Sequence, residues 1–348
     1  MKKNIVVIGY GGMGGWHVEH ALKSDVVNLV GIYDIKKERR DLARERGIFA
    51  YESLEDVLND KNVDLVTIAI PNDVHKEVVE KCLNAKKHVI CEKPVALSVS
   101  DLKSMIDTAN KNGVLFTTHQ NRRWDVDFLA MKQLASTGEI GKVKRIESRI
   151  HGSRGIPSDW RSKKQYGGGM ILDWGIHLID QILQIIQSPI DSLYCENTHY
   201  TNDEVDDGFR LSMYFEDGST AYVEVGTFNF IAMPRFYMLA QNGSAKIEDW
   251  REKCKVAKCK AWHENDVLPV KTAAGLTKTM APRDNVTMDY YEIDRPSSDV
   301  HEFYRNFTKA MDGKETQFVT HEHMLKDMRV MELCFESDKK RQVVKFSN

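Results

Sequence analysis

The sequence predicts an α/β chain in two parts: an N-terminal doubly wound parallel sheet, and a C-terminal α+β domain with an open, mostly antiparallel sheet. Three observations carry this. Through the first third of the 348 residues, short β-branched runs alternate with charged segments of helical spacing. A glycine cluster, GYGGMG, follows the first of those runs. Later, alternating apolar and polar stretches are broken by Asp217-Gly218 and Asn242-Gly243, the dipeptides of tight hairpins. The boundary falls at Asn121, giving residues 1–121 and 122–348.

The expected parallel strands are NIVVIG (4–9), NLVGIYD (28–34), DLVTIAIP (64–71), HVICEKP (88–94) and VLFTTHQ (114–120). Their nearly continuous apolar character fits strands covered on both faces. Amphipathic helices are expected after the glycine cluster and over 36–47, 75–87 and 100–113, the last stopping on Gly113. Beyond Asn121 the reading gives a helix at about 124–136, a strand over 142–152 and a helix over 167–186. Paired strands follow over 210–230 and 236–249, and two closing helices over 299–312 and 320–338. Residues 250–298 read as loops with short strands, and the lysine-rich 251–260 as a solvated face.

Composition narrows the partners. Against 51 Asp and Glu stand 49 Lys and Arg, a net charge of -2, so nucleic acid is not expected. The apolar run at the N-terminus ends at glycines after five residues, and no stretch approaches the ~18 apolar residues of a membrane span. A soluble, cytoplasmic protein acting on small molecules is expected. Six scattered cysteines lack zinc or redox spacing and read as free thiols. His321 and His323 flank Glu322, but residues two apart on a helix diverge, so no metal is expected.

The glycine cluster lies between a strand and a helix, the Rossmann arrangement for a dinucleotide. Gly9 permits the turn, Gly11 admits the pyrophosphate and Gly14 lets helix and strand close up. Asp34 closes the second strand 20 residues beyond Gly14, where a carboxylate accepts ribose hydroxyls and repels a 2'-phosphate. NAD is therefore expected, with NADP left open by Lys36, Lys37, Arg39 and Arg40 nearby. The expected contacts here are Gly9, Tyr10, Gly11, Gly12, Met13, Gly14, Asp34 and Ile35.

Two further motifs carry chemistry. CEKPV ends the fourth apolar run, so Lys93 is aimed at the crevice outside the carboxyl ends of the strands. GGGMILDWGIHLIDQIL sets Asp173, His177 and Asp180 on one face of an otherwise apolar helix. A carboxylate one turn from an imidazole in a dry slot is a way to tune a general base, and Asp173 is expected to stabilise the His177 imidazolium. Asp180 reads as structural.

GYGGMG, Ile70-Pro71-Asn72 with His75, Glu92-Lys93-Pro94 and the glycine lead into Asp173 and His177 occur in this order. On them the chain resembles the Gfo/Idh/MocA family of NAD(P)-dependent oxidoreductases over essentially its full length. HQNRRWDVDF and GGGMILDWGIHLIDQ are most similar to its scyllo-inositol dehydrogenase-like branch. The resemblance implies a catalytic group of Lys93, Asp173 and His177. It implies that Ile70, Pro71, Asn72, His75 and Glu92 line the dinucleotide cleft, with Gln120, Asn121 and Arg122 near the nicotinamide. Members of that branch favour NADP, whereas Asp34 argues for NAD.

The expected activity is hydride transfer between a secondary alcohol of a sugar or cyclitol and NAD(P). Lys93, Arg123, Asp159, Trp160, Arg161, Asp173 and His177 are the expected substrate contacts, with Arg154 and Tyr237 as weaker ones. Two alternatives stand beside it: a redox-neutral sugar- or glycoside-modifying enzyme with retained NAD, and a non-catalytic NAD-binding sensor. The outer face of the second sheet is expected to carry apolar side chains and to pair subunits into a homodimer or homotetramer.

Overall fold

The computed structural model describes residues 1–262 and 266–346. Residues 263–265, inside the polar stretch expected as loops, lie outside the described residues.

All five expected N-terminal strands form: β1 (Lys3–Ile8), β2 (Val27–Tyr33), β3 (Leu65–Ile68), β4 (His88–Cys91) and β5 (Phe116–Thr118). They pair in parallel in the order β2-β1-β3-β4-β5. Every residue of β3 and the last four of β1 are buried, as sheets covered on both faces require. The covering helices are α1 (Gly12–Leu22), α2 (Lys37–Glu45), α3 (Leu54–Asn59), α4 (His75–Asn84) and α5 (Val99–Asn112). Helix α5 stops on Gly113, whose φ of 66° is left-handed. The short α3 was not expected, although Ser53 and Asp56 form a capping box at its start. Strand order reverses between β1 and β3, so the crevice opens above their carboxyl ends.

The second part holds α6 (Val126–Thr137), β6 (Val143–His151), a π-helical turn (Ile171–Gly175) continued by α7 (Ile176–Ile185), β7 (Ile190–Thr198), β8 (Gly208–Phe215), β9 (Thr220–Gly226), β10 (Phe236–Ala240) and β11 (Gly243–Ile247). There follow β12 (Cys254–Cys259), β13 (Val270–Thr272), β14 (Gly275–Thr277), β15 (Met288–Ile293), α8 (Glu302–Met311), α9 (His321–Lys340) and β16 (Val344–Lys345). Nine strands make one sheet in the order β15-β12-β11-β10-β6-β9-β8-β7-β16. Only β6 and β9 pair in parallel; the remaining pairs are antiparallel.

Two expectations about this sheet need correction. The apolar alternate positions of β8 and β9, among them Phe209, Leu211, Met213, Val223 and Val225, are buried on the helix side. The opposite face is charged: Arg149 meets both Glu147 and Glu224, and Arg145 lies 5.6 Å over the Tyr237 ring. The alternation was read correctly, but α7 and α9 claim its apolar side. Likewise 251–260 is no plain solvated face, because β12 turns Cys254 and Val256 inward and Lys255 outward.

The C-terminal helices return to the first sheet. Thr117 Oγ1 donates to the Val319 carbonyl at 2.8 Å, and Gln317 Nε2 to that of Phe116 at 3.0 Å. The six cysteines are free.

Candidate active site

The glycine loop is shaped by steric necessity. A Cβ on Gly9, whose φ is 92°, would lie 2.2 Å from the Ala69 carbonyl oxygen, and one on Gly14 would lie 1.8 Å from that of Gly9. Gly11 and Gly12 face open space, with nothing within 4 Å of the added carbon. Helix α1 starts at Gly12 with Gly11 as N-cap, no capping side chain and no acid in its first turn. Its free amides therefore suit an anionic pyrophosphate. Asp34 Oδ2 accepts the Tyr10 N–H at 2.7 Å and Oδ1 the Lys36 N–H at 2.8 Å, tying the loop to the end of β2. Of the nearby basic residues, Arg40 donates to the Asp34 and Ile35 carbonyls and Lys37 to Asp41. Met13 and Ile35 are exposed at the rim, whereas the Tyr10 ring is buried and pairs with Arg46.

Lys93 follows β4 and reaches across to the π-helical turn. Its Nζ donates to the Asp173 carbonyl at 2.8 Å and to Asp173 Oδ1 at 2.9 Å. Arg161 Nε takes Oδ2 at 2.9 Å. Burial alone would raise the Asp173 carboxyl, but Lys93 and Arg161 hold it below its ordinary value.

Asp173 is thus spent on two cations, and the expected pairing with His177 does not form. In the π-helical turn hydrogen bonds span five residues, so positions four apart no longer stack as in an α-helix. His177 is buried, and its Nδ1 has no hydrogen-bond partner among the described residues. Burial, then the charges of Lys93 and Arg122, hold its pKa well below the ordinary imidazole value. The site therefore holds a neutral imidazole beside an ammonium, not the expected imidazolium.

The three glycines before the turn make this assembly possible. A Cβ on Gly168 would lie 2.3 Å from the Arg161 carbonyl oxygen; one on Gly169, at φ 105°, would lie 2.3 Å from Asp206 Oδ1. The loop can then fold back and lay Arg161 on Asp173. Asp206, which no sequence pattern marked, accepts the Ile171 N–H at 2.8 Å. Burial pushes its carboxyl up to about 7.

Other expected residues have their own partners. Arg123, expected at the substrate, is held from within the protein: Nε donates to Asp180 Oδ2 at 2.9 Å and Nη1 to the Phe318 carbonyl at 2.8 Å, and the pair is buried. Asp180 is structural, as expected. Arg123→Ala strands that carboxylate and is expected to cost about 3–5 kcal/mol in urea unfolding; a loss under about 1 kcal/mol would contradict this role.

His75 does not line the cleft. It is fully buried, with its ring nitrogens 2.9 Å from the Pro94 and Ile70 carbonyls, and so braces the Lys93 turn from behind. Gln120 is also buried, its Nε2 donating to Asp327. Asn72 Nδ2 bonds the Gly167 carbonyl at 3.1 Å, while Asn121 Oδ1 is buried with no hydrogen-bond partner among the described residues. Asp159 and the Trp160 ring both hold the Arg161 guanidinium, at 2.8 and 4.5 Å. Arg154 is exposed, and Tyr237 lies on the outer face of the sheet. His321 Nε2 contacts the Phe116 carbonyl and His323 caps α9, so each imidazole has its own task.

Arg122 stacks 4.2 Å over Trp174 and 5.2 Å over Trp250, with Nη1 on Asp125 at 2.9 Å. Trp174 is also edge-on to His177, ring centroids 6.0 Å apart. Trp250, from the β11–β12 turn, thereby joins the neighbourhood of His177; the polar stretch around it gave no signal.

Comparison with known proteins matches two stretches of the chain. Residues 3–120 match the model of the oxidoreductase family with an NAD-binding Rossmann fold, and residues 128–246 match the GFO/IDH/MocA C-terminal domain. The structure is similar to that of an NAD-binding protein from Listeria innocua, 41% identical, with 99% of each chain covered and a TM-score of 0.95. Myo-inositol 2-dehydrogenase of Thermotoga maritima is 33% identical over 58% of this chain and 60% of its own length. The 2,7-anhydro-N-acetylneuraminate hydratase of Escherichia coli is 28% identical over 70% and 67%. Two further curated relatives, each 36% identical, are matched over 47% and 46% of their length, so the chain spans about half of them.

Proposed function

The chain belongs to the Gfo/Idh/MocA oxidoreductase family, and on that premise we propose that it transfers a hydride between a secondary alcohol of a sugar or cyclitol and NAD(P). The carrying observation is the convergence of Lys93, from the sheet that bears the glycine loop, with Asp173 and His177 of the second part. Residues 1–121 act as the dinucleotide unit and 122–348 as the substrate unit.

The glycine loop and the amides of α1 would hold the pyrophosphate, and Asp34 the ribose hydroxyls. Two of the carboxylate's acceptor sites face backbone amides, and the rest remain for those hydroxyls. When bound, the nicotinamide supplies a hydride acceptor or donor. In the oxidative direction neutral His177 takes the hydroxyl proton of the substrate. Lys93 hydrogen-bonds the same oxygen and stabilises its developing negative charge. Asp173 fixes the position of Lys93 through its carbonyl and its carboxylate, and Arg161 steadies Asp173.

Purified protein with inositols and aldoses, in separate wells with NAD and with NADP, tests this through nicotinamide absorbance. Reduction is expected with NAD and at least one cyclitol or sugar. The hydratase relative gives specific support to one other reading, a redox-neutral reaction with retained cofactor. Nucleotide that co-purifies, with product formed and no net reduction, would favour it. A sensor needs the glycine loop but not the three catalytic groups together, and that argues against the regulatory reading.

We further place the protein in the cytoplasm, where free thiols stay reduced; no described helix is long and apolar enough to cross a membrane. A homodimer or homotetramer remains our proposal, now on a different surface. The β9–β10 loop exposes Phe228, Phe230, Ile231 and Met233, an apolar cluster that association would cover. Light scattering is expected to give a dimer or larger; monomer alone at working concentration would overturn this.

A further inference from the structure

Glu92, next to Lys93, ends in a closed pocket. Its Oε1 accepts from His17 Nε2 at 2.7 Å and His119 Nδ1 at 2.9 Å, and its Oε2 lies 3.3 Å from the Lys93 N–H. The other His17 nitrogen meets the Tyr304 hydroxyl at 2.7 Å, which lies 3.2 Å from Thr67 Oγ1. All five side chains are buried. Two imidazoles and a carboxylate are also a metal-ligand set, but here the ligand atoms meet directly through hydrogen bonds.

The partners settle the hydrogens. Both imidazoles donate to Glu92, Tyr304 donates to His17 Nδ1, and Thr67 donates to Tyr304. His119 Nε2 is buried and has no hydrogen-bond partner among the described residues. Burial lowers the pKa of His17 to about 4 and leaves it neutral. Burial also works against the Glu92 anion, but the imidazoles keep its carboxyl well below the usual range.

The other charges at this end of the crevice pair off. Lys93 and Arg161 share Asp173 and Asp159, and Arg122 holds Asp125. Arg123 holds Asp180, while burial and the Asp180 charge raise the carboxyl of the neighbouring Asp327 well above its ordinary value. Among the described residues here, Glu92 is the carboxylate whose ion-pair partners are histidines, with no Lys or Arg on it. It follows β4, at the carboxyl edge where doubly wound sheets receive dinucleotides.

We propose that Glu92 is the fixed counter-ion for the oxidised nicotinamide, biasing the site toward NAD+ over NADH. The inference rests on the dinucleotide reading above. The oxidised ring is a cation and the reduced ring is neutral, so a buried anion favours the first and leaves the second nearly unchanged. His17 and His119 are positioning residues for this charge, and Tyr304 holds His17.

Dissociation constants for NAD+ and NADH, measured by calorimetry on wild type, Glu92→Gln and Glu92→Asp, test it. Glu92→Gln is expected to weaken NAD+ roughly tenfold more than NADH, the effect of unit charges about 10 Å apart at an effective dielectric near 20. Glu92→Asp is expected to keep the wild-type ratio. Should Glu92→Gln not fold, His119→Lys sets a cation against the same carboxylate and is expected to lower the ratio in the same sense. Equal weakening of both nucleotides would overturn the proposal and leave Glu92 a structural role. Wild type binding neither nucleotide would instead overturn the dinucleotide reading itself.

Discussion

Lys93→Met is expected to lower kcat by about 10²–10³-fold, the usual loss when a preorganised donor to a developing oxyanion is removed. The charge of Lys93 is felt by the imidazole base, and its ammonium bonds Asp173 through both carbonyl and carboxylate. Methionine keeps much of the length and removes the charge. Asp173 retains Arg161, so the fold is expected to survive. NAD affinity, followed by tryptophan fluorescence, should stay within a few-fold of wild type, because the glycine loop and Asp34 are untouched. A variant with more than a tenth of the wild-type kcat would contradict the role of Lys93 in stabilising the alkoxide.

His177→Asn is expected to cost about 10²–10⁴-fold in the oxidation rate, the range for a lost general base. The pH profile separates this from a packing defect. Only the neutral imidazole can accept the hydroxyl proton. Burial and the charges of Lys93 and Arg122 lower the folded pKa well below the ordinary imidazole value. Oxidation should therefore stay level as pH falls through that value and decline only at lower pH, where the ring gains its proton. The reverse reduction needs the imidazolium and should speed up over the same descent. In His177→Asn this acid limb should vanish from the kcat/KM profile. Full turnover in that variant, or an unchanged limb, would remove His177 from the chemistry.

The first sheet was legible because its rules are local. Runs such as LVTI are buried throughout, and Gly9 and Gly14 of GYGGMG sit where any side chain would strike a backbone carbonyl. The alternation of β8 and β9 was equally legible, but which side would be covered was not, since that depends on α7 and α9. At the site, the helical spacing put Asp173 and His177 together; the π-helical turn and two cations from other segments separated them. Arg123, beside residues expected at the cofactor, found its carboxylate 57 positions later. Trp250 and Asp206 enter through tertiary approach alone. The Ser53–Asp56 capping box that starts α3 is a local signal of the same kind.

The most direct test of the central claim is isotopic. A cyclitol or sugar that reduces the nucleotide is prepared with deuterium on the carbon bearing the reacting hydroxyl. The reduced nicotinamide is then analysed by mass spectrometry and proton NMR. Hydride transfer at this site predicts one deuterium per reduced nucleotide, on one face of the ring, with a slowed single turnover. Reduced nucleotide without deuterium, or product formed while the bound nucleotide shows no reduced phase, would contradict it.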